Sequence, residues 1–130
     1  MAASGCGGVL GRCGAWQLSV GAIRRGNVYR ARLGELGMRP VLVVSWDTVN
    51  NVLRKPVVCH VTSRQRERAL PTAVAISAGE AELQHDSYVL CHELHTLDAE
   101  DIREELGELS DWRMHEVDRA LAAALDLDLG

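Results

Sequence analysis

The side chains best suited to chemistry in this sequence lie in two apolar segments, one near residue 40 and one near residue 60. Arg39 precedes Pro40, and its guanidinium offers a planar set of donors that matches phosphate oxygens and stays protonated at any working pH. Thr62 offers a hydroxyl that can donate to such an oxygen. In an extended strand, His60 lies on the same face as Thr62, where an imidazole could carry protons near neutrality. Together these groups could stabilise charge on a phosphate and move a proton.

Each of these residues also has a purely structural interpretation. Arg39 could do no more than cover a strand edge in front of a proline, and Thr62 could simply end a strand. A histidine within an apolar strand is usually a satisfied core residue, so His60 is the weakest of the three candidates. Residue type and spacing therefore leave both interpretations open.

Length and composition predict one small domain. A chain of 130 residues is long enough for one compact core and too short for two ordinary domains. No segment approaches the run of about 18 apolar residues that a membrane-spanning helix requires, so we expect no membrane association. The four cysteines form no Cys-x-x-Cys pair, and we see no secretory signal. We therefore expect reduced thiols in a cytoplasmic protein.

The net charge of −4 is an average over two unlike halves. Residues 1–79 hold 11 Lys and Arg against 3 Asp and Glu, a net of +8, whereas residues 80–130 hold 3 against 15, a net of −12. This asymmetry predicts an anion-binding face on the first part and a solvated acidic face on the second. The overall charge therefore does not exclude a nucleic-acid partner.

The hydrophobic pattern predicts a series of short strands. Residues 1–22 contain six glycines and no sustained period, so we expect a flexible Gly-rich extension before an ordered domain over residues 23–130. Further along, alternating or β-branched segments separated by close turns are typical of a small barrel. The predicted strands are residues 27–33, 40–45, 56–62, 72–77 and 88–94.

The C-terminal part changes to a helical period. Ser110 can cap a helix whose apolar residues recur at three- and four-residue steps from Met114 to Leu125. A shorter helical turn is predicted around residues 98–105, whose charge density favours a solvent-facing position. The predicted fold class is therefore mainly β with a C-terminal helix.

Five segments, in order, resemble those of the MazF/PemK family over residues 23–127. Each segment alone would be weak, and the resemblance depends on their order and spacing. The second contains Arg39 and Pro40, and the third contains Thr62 and Ser63. The segments are residues 24–29 (RRGNVY), 37–45 (GMRPVLVVS), 61–63 (VTS), 86–91 (DSYVLC) and 106–111 (LGELSD).

The resemblance implies a fold and an activity. The family has a small SH3-like β-barrel with a C-terminal helix, an architecture of the MazF/PemK/CcdB type. Its members are toxins of type II toxin–antitoxin systems, and their core catalytic residues correspond here to Arg39 and Thr62. We therefore expect an endoribonuclease, an mRNA interferase that causes growth arrest by cutting single-stranded RNA at a short motif.

The expected reaction needs no metal or cofactor. RNA can cleave itself when a 2′-hydroxyl attacks the adjacent phosphorus, provided that the attack is aligned and the added charge is stabilised. Its products would carry 2′,3′-cyclic phosphate and 5′-hydroxyl ends. The resemblance also implies a homodimer that binds RNA across a shared groove, and a MazE-like antitoxin whose acidic tail covers that groove.

Two features depart from the family pattern. Many relatives carry an acidic residue after the cysteine of the fifth strand, where this chain has His92. His92 could replace that acid as a general base, or the contact could be lost. The loop over residues 34–38 is also shorter than in many relatives, where it borders the RNA channel, so the preferred motif could differ.

Basic residues could guide the RNA backbone into the groove as sequence-independent phosphate contacts. Their alternative role is solubility. Stacking of bases is less well supported, because Phe is absent and only Trp46 and Tyr29 are expected near the groove. The candidate RNA-binding residues are Arg24, Arg25, Arg30, Arg32, Ser63, Arg64, Arg66 and Arg68.

Two rival hypotheses remain. Cys59, His60, Cys91, His92 and His95 supply enough ligands for a tetrahedral zinc, although their spacing matches no known zinc module and we expect no metal. Alternatively, the barrel could be non-catalytic and bind a protein, as a gyrase poison or an interaction module does. The arginine and threonine favour the enzyme, whereas the replacement of the acid by histidine favours the binding module.

Overall fold

A computed structural model of the protein describes residues 21–64 and 70–128. The predicted N-terminal extension therefore lies outside the described residues, apart from residues 21 and 22, and so do Arg66 and Arg68. Within the described ranges, no helix combines the length and the apolar content that crossing a membrane requires.

The described residues form an antiparallel sheet followed by a helix. The strands lie in the order β4-β5-β3-β2-β1-β6, and each neighbouring pair is antiparallel. A short helix, α1 (Asp47–Asn51), connects β2 to β3, and α2 (Asp111–Leu125) follows the last strand. The strands are β1 (Asn27–Arg32), β2 (Met38–Val43), β3 (Val57–Thr62), β4 (Ala73–Ile76), β5 (Ser87–Thr96) and β6 (Ile102–Glu108).

The five predicted strands are confirmed as β1 to β5, with ends shifted by up to two residues. The helical turn predicted around residues 98–105 is wrong beyond its start, because only Ala99–Asp101 forms a 3₁₀ turn and β6 follows at once. β6 is an edge strand beside β1, and most of its charged side chains are exposed. The charge density belongs to a strand edge that natural sheets commonly protect in this way, and not to a helix.

The sheet is buried on both faces, which explains its apolar strands. Val28 and Tyr29 are neighbours in β1 and are fully buried, yet they belong to different hydrophobic clusters. One cluster packs against α2, and the other lies on the opposite side of the sheet. The helix-side core contains Val28, Leu42, Cys59, Val61, Val89, Cys91, Met114 and Val117. The far-side core contains Tyr29, Ala31, Leu33, Val41, Val43, Val58 and Ile102.

Helix α2 begins as the sequence predicts. The Ser110 side chain accepts a hydrogen bond from the backbone N–H of Arg113, which satisfies a donor that the first turn leaves unpaired. Met114, Val117 and Ala120 then face the sheet. Each large apolar side chain buried in this way contributes about 1.5–3 kcal/mol, so this face keeps the helix on the sheet.

A bulge interrupts the pairing of β3 with β5. Cys59 pairs with Leu94, but the next residue of β3, His60, pairs with Leu90. The three intervening residues of β5, which are 91–93, therefore have no partner on β3. Such a bulge changes the direction in which side chains leave the strand.

The segment between β4 and β5 brings the two ends of the sheet together. It contains a 3₁₀ turn at Glu80–Glu82, which packs against β6. Gly107 of β6 permits this contact, because a Cβ at that position would lie 2.7 Å from Cα of Ala81. Arg113 of α2 also binds the turn, with two donors to the Glu80 carboxylate at 2.7 and 3.2 Å. These contacts close the curved sheet into a small barrel.

The Arg113–Glu80 ion pair predicts a pH-dependent contribution to stability. The guanidinium of Arg113 holds the pKa of Glu80 below its ordinary value, so the pair stabilises the fold above the unfolded pKa of about 4.3 and the effect disappears as the pH falls. We expect Glu80→Gln to lower the free energy of unfolding by about 1–2 kcal/mol at pH 7. In urea denaturation, the gap between variant and parent should close between about pH 5 and pH 3.

The matched control is Glu116→Gln. Glu116 binds the same guanidinium at 2.9 Å, but its side chain is 48% exposed against 27% for Glu80. Its loss should therefore cost less than about 0.5 kcal/mol. Equal losses in the two variants, or a Glu80→Gln deficit that persists at pH 3, would contradict this assignment.

Candidate functional site

An open cleft of about 580 Å³ lies at one end of the sheet. The start of β2, the end of β3, the bulged part of β5 and the segment before β5 all contribute side chains to it. Polar and apolar groups share its wall, as in many ligand sites. The residues that line it include Arg30, Arg39, His60, Thr62, Ser63, Arg64, Glu82, Leu83, Gln84, His85 and Glu93.

Strand register brings Arg39 and Thr62 to the same place. The paired part of β2 and β3 ends where Val41 meets His60, and the same register continued by two residues sets Arg39 opposite Thr62. Pro40, which lacks a backbone N–H, lies at the point where the pairing stops. The cleft therefore begins where the two strands cease to pair, with a guanidinium and a hydroxyl on its two sides.

The two side chains are held differently. Arg39 is exposed, and its one hydrogen bond within the described residues runs from Nη1 to the Met38 carbonyl at 3.2 Å, so most of its donors remain for a ligand. Thr62 is half-buried, and its Oγ1 accepts from the backbone N–H of Arg64 at 3.1 Å. That bond uses a lone pair of the hydroxyl and leaves its proton available to an incoming anion.

His60 faces a carboxylate that the sequence patterns did not single out. Its Nδ1 lies 3.4 Å from Oε1 of Glu93, and the His60 side chain is only 14% exposed. Both residues line the cleft. Glu93 belongs to the bulged part of β5, and His92, one residue earlier, is exposed and bonds through Nδ1 to the Thr72 hydroxyl at 2.7 Å. The carboxylate that contacts His60 is therefore Glu93, and His92 is not among the residues that line the cleft.

The candidate RNA-binding residues divide into two groups. Ser63 and Arg64 are exposed at the cleft, as is Arg30, which also bonds to Glu104 at 3.4 Å. Arg24, Arg25 and Arg32 do not line it. Arg25 instead binds Asp118 of α2 and donates to the Val44 carbonyl at 2.8 Å, which fixes the segment before β1 against the helix.

The two aromatic residues expected near the groove lie elsewhere. Tyr29 is fully buried in the far-side core, and that burial raises the pKa of its hydroxyl. Its oxygen accepts from the backbone N–H of Arg24 at 3.0 Å. Trp46 is 70% exposed but is not among the residues that line the cleft. Neither ring therefore belongs to this cleft, and the buried Tyr29 cannot stack a base.

The cysteines of the zinc hypothesis belong to the helix-side core. Cys59 and Cys91 are both buried and unoxidised, and the contact with Cys91 together with burial raises the pKa of Cys59 far above its ordinary value. A protonated buried thiol is an inert core group. In residues 21–64 and 70–128, no three His, Cys, Asp or Glu side chains are grouped so that they could hold a metal ion.

The family follows from a match over most of the chain. The model for the PemK-like, MazF-like toxins of type II toxin–antitoxin systems matches residues 24–125. The chain belongs to this family. The match includes both strands that carry Arg39 and Thr62, so the predicted membership is confirmed.

Solved structures of other family members share the fold of this PemK/MazF-like toxin. An endoribonuclease in complex with its cognate antitoxin, from a mycobacterial species, is 32% identical, with a TM-score of 0.74 over 84% of this chain and 100% of that one. The Mycobacterium tuberculosis toxin MazF-mt6 is 27% identical, with a TM-score of 0.71 over 78% and 98%. A MazE–MazF structure from Deinococcus radiodurans is 26% identical, with a TM-score of 0.69 over 82% and 98%. These likenesses confirm the predicted barrel with a C-terminal helix.

Proposed function

We propose that this toxin is an endoribonuclease that cuts single-stranded RNA without a metal or cofactor, and that Arg39 and Thr62 are its catalytic residues. The observation that carries the proposal is their convergence, across the end of the β2–β3 ladder, on one cleft that also contains the His60–Glu93 pair. Relatives of known structure are described as endoribonucleases, which supports the same activity here.

In this proposal, Arg39 stabilises the transition state. Attack of a 2′-hydroxyl on the adjacent phosphorus forms a five-coordinate phosphorane, which carries more negative charge on its oxygens than the starting phosphate. A guanidinium with free donors binds that charge in two places, and it does so more strongly as the charge grows. Thr62 donates its hydroxyl proton to a non-bridging oxygen and so fixes the phosphate for in-line attack.

The His60–Glu93 pair is the proposed proton acceptor. Glu93 contacts one nitrogen of the ring at 3.4 Å, and a carboxylate in this position orients an imidazole. As the 2′-oxygen bonds to phosphorus, its proton passes to the pair. The 5′-oxygen leaves with its bonding electrons and takes a proton from water, which reaches the open cleft. The products carry 2′,3′-cyclic phosphate and 5′-hydroxyl ends.

Partners follow from the same surface. Arg39 and Arg64 are exposed at the cleft and could bind an RNA backbone, as could an acidic, partly disordered antitoxin tail that folds as it binds. We therefore propose a MazE-like antitoxin that covers the cleft, a homodimer that extends the RNA groove over both copies, and action in the cytoplasm.

The non-catalytic barrel is the second candidate function. Its main support was that His92 replaces the acidic residue found in many relatives. Glu93 weakens that support, because it provides a carboxylate at the cleft.

The first test of this function is cleavage by purified protein. A long RNA incubated in EDTA should be cut at a restricted motif, and the new ends should carry a 5′-hydroxyl and a cyclic phosphate. Arg39→Ala should lower the cleavage rate about 100-fold or more, because a preorganised donor to the developing charge is lost. Arg103→Ala is the matched control, since Arg103 is exposed on β6 and bonds only to the Glu100 carbonyl among the described contacts.

The control should cleave within about twofold of the parent protein, because a surface arginine away from the cleft has no part in the reaction. Intact RNA in the presence of folded parent protein would refute the proposed ribonuclease. Cleavage by Arg39→Ala at the full rate would refute the role of the guanidinium alone.

The proton-transfer pair has its own test in pH–rate profiles. His60→Gln and Glu93→Gln should each lower the cleavage rate about 100-fold, as expected for the loss of general base catalysis, and each should change the shape of the profile. Because the two residues act as one unit, the cleavage rate of the double variant should lie within about threefold of the rate of His60→Gln. His115→Gln, on the exposed side of α2, should leave rate and profile unchanged. Multiplicative losses in the double variant would contradict a single pair.

A further inference from the structure

The segment between β4 and β5 supplies the part of the cleft wall that the proposed chemistry does not use. We call residues 77–86 the β4–β5 segment. Glu82, Gln84 and His85 are exposed at the cleft, whereas Leu83 is buried in the helix-side core. Four consecutive residues thus line the cleft, of which Leu83 anchors the segment in the core and the other three can be reached by a ligand.

The backbone of the segment is tied down by side chains and by its own amides. The Glu80 carboxylate binds the guanidinium of Arg113 and also accepts from the Ser77 N–H at 2.8 Å. Gly79 N–H donates to the Leu83 carbonyl at 2.8 Å, and Ala78 N–H donates to the Asp86 carboxylate at 2.7 Å. Such a network holds one loop conformation instead of an ensemble.

The conformation that is held is an unusual one for these residue types. Ala81 and Glu82 have φ values of 50° and 57°, in the left-handed region that residues with a Cβ seldom adopt. Gly107 allows β6 to pack directly against Ala81 from one side, and Leu83 is inserted into the core on the other. Non-glycine residues persist in this region only where their surroundings fix them, and such positions cluster at functional sites.

We propose that the β4–β5 segment is the base-recognition element of the toxin, with Gln84 and His85 contacting the edge and face of one nucleobase beside the cut. The proposal rests on the proposed ribonuclease function. Arg39 and Arg64 contact phosphates, which carry no sequence information. The Gln84 amide presents both a donor and an acceptor, which can distinguish one base edge from another.

His85 provides an exposed flat ring at the cleft, whereas the other ring there, that of His60, is only 14% exposed. Unpaired RNA bases are commonly stacked on aromatic or imidazole rings, and neither Tyr29 nor Trp46 lines the cleft. Glu82 adds an acceptor for exocyclic amino groups. The rigidity of the segment matters here, because side chains that can move to fit a wrong base no longer discriminate between bases.

The test is a map of cleavage sites on a long RNA for the parent and for the variants Gln84→Ala and His85→Ala. At one position of the motif, the ratio of cutting at favoured to disfavoured bases should fall at least about tenfold in each variant. Cutting at the relaxed sites should continue, because Arg39 and Thr62 are untouched. His115→Ala, which removes an exposed histidine of α2, should leave the motif unchanged.

Arg113→Ala tests the positioning role without removing any group from the cleft. Loss of the Arg113–Glu80 bonds frees the segment, so the same motif position should relax although Gln84 and His85 remain. Arg119→Ala, on the exposed part of the same helix, is the control and should retain the parental motif. Circular dichroism at the assay temperature should confirm that every variant is folded.

The outcomes separate this inference from the function on which it rests. If folded parent protein cuts no RNA, the proposed ribonuclease fails. If the parent cuts at a motif that Gln84→Ala and His85→Ala leave unchanged, base recognition by this segment is overturned while the ribonuclease stands. Loss of all cutting in the folded variants would also overturn it, since the residues would then serve the reaction and not the choice of base.

Discussion

The site depends on the place where β2 and β3 stop pairing. Backbone hydrogen bonds join the two strands up to the pair of Val41 with His60. Val41 and the apolar side chains on its face of the sheet belong to the far-side core. Pro40 has no N–H to extend the ladder, so Arg39 and Thr62 come opposite each other without being joined. The register is set by the buried side chains, since a shift by one residue would exchange the residues of the helix-side core with those of the far-side core. The core therefore determines the separation of the two proposed catalytic groups.

Two further irregularities complete the cleft, and both rely on the same cores. The β5 bulge brings Glu93 to His60 at 3.4 Å, while Cys91 stays buried beside Cys59. The β4–β5 segment reaches the cleft in a left-handed conformation that costs about 1–2 kcal/mol per non-glycine residue. Helix α2 compensates by providing the guanidinium that binds the segment. A well-packed barrel remains folded despite these conformational free-energy costs, whereas a barrel of marginal stability would not.

Much of the fold and part of the candidate site could be predicted from sequence. The five strands and α2 follow from alternation, β-branched runs and the Ser110 cap, and Arg39 and Thr62 follow from their place in family segments. β6 was missed because an exposed edge strand is dominated by charge and not by a period of two. Glu93 was missed because a bulge changes which of two adjacent residues faces the cleft, and no local pattern marks it. The β4–β5 segment was missed because its fixed shape comes from distant residues, Gly107 and Arg113.

The most direct test of the central claim is a crystal structure of the protein with a short RNA that carries its cleavage motif and a 2′-O-methyl group at the cut. Such an RNA cannot react, because the attacking hydroxyl is blocked. The account predicts that the scissile phosphate lies within about 3.2 Å of both the Arg39 guanidinium and the Thr62 hydroxyl, with the 2′ position turned towards His60. An RNA whose scissile phosphate lies outside this cleft, or contacts neither residue, would contradict it.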